Sequence, residues 1–111
     1  MNLVVHEKKE KENQITVMVE GEVDVYTAPK LREKLLPLCD GKKRITVNLS
    51  QVDYIDSTGL GVLIGAYKAQ RQTAGKLIIS GMNPRLSRLF KITGLYEIME
   101  IEDQAQEDGR K

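Results

Sequence analysis

The chain has 111 residues, enough for one domain with a modest core, and 17 Lys and Arg against 16 Asp and Glu leave a formal charge of +1. That balance excludes the basic footprint of a nucleic-acid-binding protein, and no Trp with a single Phe leaves no base-stacking platform. A lone cysteine, Cys39, excludes an internal disulfide and suits a reducing compartment, and the absence of an apolar run at the N-terminus or elsewhere predicts a soluble, cytoplasmic chain away from membranes.

Leu3-Val4-Val5 and Ile15 to Val19 read as two short strands, and the mixed charges from Glu7 to Asn13 read as a solvated hairpin tip. Gly21 is placed to break the second strand. Thr27 offers an N-cap and Pro29 fits a first turn, so a helix follows, with Ala28, Leu31, Leu35 and Leu38 as its apolar stripe. Asp40-Gly41 stops it. Arg44 to Leu49 alternates polar and apolar residues, the pattern of a strand with one buried face. Leu60, Leu63, Ile64 and Tyr67 then recur at i, i+3, i+4 and i+7, marking an amphipathic helix that Thr73-Ala74-Gly75 closes.

Lys76 to Ser80 is a short apolar run, compatible with a strand buried on both faces. Asn83-Pro84 opens a third helix with Leu86, Leu89 and Phe90 on its buried stripe, and Gly94 ends it. Leu95 to Ile101 suits a last strand or a short helical turn. Gln104 to Lys111 has almost nothing to bury, so the domain is expected over residues 1–103 and a disordered tail over 104–111. No internal repeat is present. Strands alternating with helices predict a single α/β domain with a largely parallel sheet and right-handed crossovers, made mixed by the first hairpin.

The functional question centres on Asp53 to Gly65, where Ser57 and Thr58 stand at a strand-to-helix junction. Free backbone N–H groups and the positive end of the helix dipole point there. A serine so placed can cap the helix, bind or carry a phosphate, or attack a substrate. Capping is the plainest job, worth about 1 kcal/mol. Catalysis lacks a base: His6 is the only histidine, and the Gly-x-Ser-x-Gly elbow fails because Ile55 stands two residues before Ser57. Asp56-Ser57-Thr58-Gly59 does not supply an aspartic-protease site either, which needs two carboxylates sharing a proton.

Gly59-x-Gly61 lacks the third glycine of a dinucleotide fingerprint, since Ile64 stands there and Gly65 comes one place late. No Gly-Lys-Ser/Thr occurs, so a phosphate-ligand module is a minor alternative. A phosphoserine switch remains, carrying about −1.5 to −2 charges where a helix start tolerates them. Glycine costs roughly 1 kcal/mol relative to alanine within a helix. Gly59, Gly61 and Gly65 together therefore point to close approach by a neighbouring backbone or a partner surface.

Asp56-Ser57-Thr58-Gly59-Leu60-Gly61 resembles the signature of the anti-sigma factor antagonists, bacterial proteins of the STAS domain family. Gly21-Glu22-Val23-Asp24-Val25-Tyr26-Thr27-Ala28-Pro29 is similar to that family's strand-to-helix segment, and Arg88 to Leu95 to its third-helix motif. The likeness spans roughly residues 3 to 102, and its pattern is nearest to the family's general-stress branch.

The resemblance implies a non-enzymatic partner switch without cofactor or metal. The unphosphorylated form binds an anti-sigma factor that is also an ATP-dependent serine kinase, and the sigma factor is freed. Phosphorylation ends the binding, and a PP2C-type phosphatase restores it. By motif, Ser57 is the phosphoacceptor and Thr58 a candidate secondary one. Asp24, Asp56, Gly59, Leu60 and Gly61 complete the expected partner-binding set with those two hydroxyls. A stressosome-type scaffold shares the same domain and is the alternative role. Lys68 and Arg71, exposed on the second helix by pattern, are candidate selectivity positions.

Overall fold

A computed structural model describes residues 3–102 of the chain. Its elements are β1 (Leu3–Lys11), β2 (Gln14–Val23), α1 (Ala28–Leu35), a 3₁₀ turn (Leu36–Leu38), β3 (Arg44–Ile55), α2 (Ser57–Gln72), β4 (Lys76–Ser80), α3 (Pro84–Ile92), α4 (Leu95–Ile98) and β5 (Glu100–Glu102). The sheet has five strands in the order β1-β2-β3-β4-β5; β1 runs antiparallel to β2, and the remaining neighbours are parallel. This is the mixed, mostly parallel α/β sheet that the alternation predicts.

One apolar cluster joins Val17, Val19, Ile45, Val47, Leu77 and Ile79 of the strands to Leu31, Leu35, Leu63, Leu86 and Phe90 of the helices. The register pairs Val17 with Val47 and Val47 with Ile79, so these side chains share one face and all the main helices pack against it. Side chains on the other face, such as Thr46 and Asn48, are only half-buried. Ile78, between Leu77 and Ile79, is buried there at 3% exposure, so β4 is covered on both faces as its apolar run predicts.

Four local expectations change. The charged segment is strand rather than loop: β1 and β2 pair from Leu3↔Gly21 to Lys11↔Gln14, leaving only Glu12 and Asn13 as the turn. An edge strand lets its charged side chains reach water, and lysines there discourage pairing with other chains. Gly21 does not stop β2. At φ +114 it absorbs a register shift against β3, and the strand continues to Val23. Leu95 to Ile101 supplies both candidate structures, α4 and then β5. The buried face of α2 is also wider than its predicted stripe, because Val62, Ala66 and Gln70 are buried with Leu60 and Leu63, while Ile64 and Tyr67 are half-buried.

Gln70 was not foreseen as a core residue. Its side chain is fully buried, and its Nε2 donates to the carbonyls of Lys43 (2.8 Å) and Lys76 (2.6 Å), tying α2 to the starts of β3 and β4. The expected tail, residues 104–111, lies outside the described residues.

Candidate functional site

The parallel strands deliver two segments to the same end of the sheet. Val23 closes β2 and Ile55 closes β3, and the N–H of Asp56 donates to the Val23 carbonyl at 3.0 Å. The turn containing Asp24 and the start of α2 are therefore joined at their roots by a backbone hydrogen bond.

Asp56, not Ser57, caps α2. Its backbone is extended, and its Oδ1 accepts from the Gly59 N–H at 3.0 Å. Ser57 is the first residue of the helix, and its hydroxyl is exposed with no hydrogen-bond partner among the described residues. Of the jobs open to this serine, capping thus passes to its neighbour. Thr58 is exposed beside it, Leu60 is buried, and the N–H groups of Ser57 and Thr58 have no acceptor among the described residues.

The two nearby glycines serve different ends. A Cβ on Gly59 would lie 2.5 Å from Val23 Cγ1 and 3.0 Å from Ile55 Cγ2, so close packing of α2 on the strand ends requires glycine. A Cβ on Gly61 would meet nothing within 4 Å. Its neighbours do not need the space, and Gly61 simply keeps the exposed surface low.

Asp24 organises its own turn. Its Oδ1 accepts from the N–H groups of Tyr26 (2.9 Å) and Thr27 (3.0 Å), and its own N–H donates to Thr27 Oγ1 (2.9 Å). Desolvation raises the Asp24 pKa, but the hydrogen bonds from Thr27 and Tyr26 outweigh it and hold the carboxyl below its ordinary value. Thr27 stands at the N-cap position of α1, as predicted, yet its hydroxyl does not cap the helix; it donates to the Glu22 carbonyl at 2.8 Å. The turn leaves Val25 56% and Tyr26 80% exposed. Sequence reasoning passed over this pair, although two apolar residues between a turn-forming Asp and Thr carry that signal.

Val25, Ala28, Pro29 and Arg32 face Thr58, Gly61 and Val62 across a cleft of about 310 Å³ between α1 and α2. Lys68 and Arg71 lie elsewhere, lining a separate hollow between α2 and α4, with the Arg71 guanidinium 5.8 Å from the Tyr67 ring centre.

Among the described residues no catalytic constellation forms around Ser57. His6 pairs with Met18, five residues before Val23 on β2, and lies on the face opposite the helices. Five strand residues span about 16 Å. Burial, with Asp40 beside it and Lys43 partly opposing, pushes the Cys39 thiol up to about 11, so it is protonated at neutral pH. Among the described residues no group of three or more His, Cys, Asp or Glu is placed to hold a metal, and no helix is long and apolar enough to cross a membrane.

The STAS domain model matches residues 6–107. The anti-sigma-B factor antagonist of Bacillus subtilis is 44% identical over 106 residues, covering 96% of both chains. In fold, the chain is similar to an anti-sigma factor antagonist from Mycobacterium paratuberculosis, with a TM-score of 0.80 at 24% identity over 90% of this chain and 85% of that one. It is similar as well to the Bacillus cell fate determinant SpoIIAA in its phosphorylated form, with a TM-score of 0.69 at 19% identity over 96% of this chain and 98% of that one. The chain belongs to the STAS domain family, among its anti-sigma factor antagonists.

Proposed function

We propose that this protein is a phosphorylation-controlled partner switch that binds an anti-sigma factor kinase when Ser57 is free and releases it when Ser57 is phosphorylated. One observation carries the reading: the Ser57 hydroxyl stands exposed and uncommitted at the start of α2 because Asp56 has taken over the cap. It can enter a kinase active site without the helix losing its capping bond.

A phosphate adds about −1.5 to −2 charges. The positive end of α2 tolerates that charge, so the domain should stay folded. The effect falls on the interface. Asp56 is adjacent and Asp24 is one residue from the shared backbone bond, so a phosphate concentrates negative charge on a surface that also exposes Val25 and Tyr26. A partner fitted to the neutral hydroxyl meets bulk and repulsion together. In this reading the kinase adds the mark and a PP2C-type phosphatase removes it. A solved relative in a phosphorylated form supports a stable modified state.

Incubation with the cognate kinase and ATP, followed by mapping of the added mass, tests the assignment. The expected result is one phosphate on Ser57, lost in Ser57→Ala. Modification elsewhere, or full modification of Ser57→Ala, rejects it.

A further inference from the structure

The cleft between α1 and α2 begins one residue from the phosphoacceptor, since Thr58 lines it. A kinase must bring its nucleotide to within bonding distance of the Ser57 hydroxyl, so its surface necessarily covers the surroundings. A stable interface takes on the order of 800 Å² of each partner, a disc reaching about 16 Å from its centre. The cleft therefore falls inside the footprint of any enzyme that modifies Ser57.

Its chemistry is lopsided. The walls are apolar or small, and Arg32 is the one charged residue lining them. Arg32 is exposed and has no ion-pair partner among the described residues. Gly61 lines the cleft too, where an added Cβ would meet nothing within 4 Å, although glycine there costs the helix up to about 1 kcal/mol. At the rim, Val25 and Tyr26 are exposed on a turn whose backbone the Asp24 and Thr27 hydrogen bonds hold in place. An exposed aromatic on a rigid turn loses little freedom on binding, the property of an interface hot spot.

We infer that this cleft is the recognition pocket for the kinase: an apolar kinase side chain seats over Gly61, an adjacent kinase carboxylate pairs with Arg32, and Tyr26 anchors the rim. The inference rests on the phosphoacceptor reading of Ser57. It extends the binding surface from the serine motif onto α1, where neither Tyr26 nor Arg32 was an expected partner residue. The covering geometry selects the kinase as the occupant, and Arg32, unpaired among the described residues, sets the sign of the group that would meet it.

Titration calorimetry of the unphosphorylated protein against its cognate kinase tests this. Arg32→Glu and Tyr26→Ser should each weaken binding by about tenfold or more, while Arg32→Lys, which keeps the charge, should stay within about threefold. Lys8→Glu, exposed on β1 opposite Thr16, should leave affinity within about twofold. Circular dichroism and the thermal midpoint should match wild type for all four, since each changes an exposed side chain. Wild-type affinity in both Arg32→Glu and Tyr26→Ser, with Ser57 still phosphorylated in each, would overturn the pocket and leave the phosphoacceptor reading standing. Absence of phosphate on Ser57 in the wild-type protein would instead remove the reading on which the pocket depends.

Discussion

The two ends of α2 treat polar side chains in opposite ways. At its last turn, Gln70 is fully buried and both of its amide hydrogens are spent on the Lys43 and Lys76 carbonyls. Thr73 Oγ1 donates to the Gly41 carbonyl at 3.1 Å, and a Cβ on Gly75 would come 2.7 Å from the Lys43 oxygen. At its first turn, Ser57 and Thr58 are exposed, and Gly61 faces open space. One end fastens the helix to the sheet and the other stays unoccupied. The proposed switch needs such a surface, since groups that are to be bound, modified and released cannot also be spent on stability.

Variants at the two ends should separate binding from folding. Ser57→Asp should lower affinity for the anti-sigma factor by about a hundredfold, from like charge at a tight interface, with unfolding free energy within about 1 kcal/mol of wild type. Calorimetry alongside urea unfolding reads both, and equal affinities would sink the charge argument. Gln70→Met should do the reverse. It removes two hydrogen bonds worth about 0.5–1.5 kcal/mol each, while the Lys43 carbonyl keeps its bond from the Lys76 N–H, so the urea midpoint should fall while kinase affinity at 25 °C stays within about twofold. The paired glycines supply the last contrast. Gly59→Ala should destabilise by about 1–3 kcal/mol through overpacking against Val23. Gly61→Ala should stabilise by up to about 1 kcal/mol. If both shift the thermal midpoint in the same direction, the distinction between packing glycine and surface glycine is wrong.

Much of this arrangement was legible in the residues themselves. The alternation in β3, the run in β4 and the Asn83-Pro84 start of α3 depend on local pattern, and the structure keeps them; Asn83 Oδ1 accepts from the Leu86 N–H at 2.8 Å, a cap of the expected kind. The motif around Ser57 was found as well, but the division of labour within it was not. Asp56 and Ser57 are both good cap residues. Only the backbone geometry shows that Asp56 holds the extended cap conformation and Ser57 has already entered the helix. Gly59 and Gly61 look alike in sequence, and what separates them is Val23, which lies on another strand. Gln70 was missed for a similar reason. A polar residue on a helical stripe reads as surface unless the carbonyls it satisfies are known, and those belong to segments on either side of it in the chain.

The unequal lengths of β3 and β4 bear on motion. β3 spans 12 residues and β4 only five, and their pairing ends at Asn48↔Ser80. From Leu49 to Ile55 the half of β3 that leads to Ser57 is laddered on its β2 side alone, while on the other side Asn83 Nδ2 reaches the Val52 carbonyl at 3.4 Å and Arg85 Nη1 the Asp53 carbonyl at 3.5 Å. Long side-chain contacts open at lower cost than a strand ladder. Amide deuterium uptake should therefore be graded along β3, slow in its first half and faster toward Ile55. That gradient makes the strand a built-in gauge, because a docked partner will slow exchange first in the half that leads to Ser57.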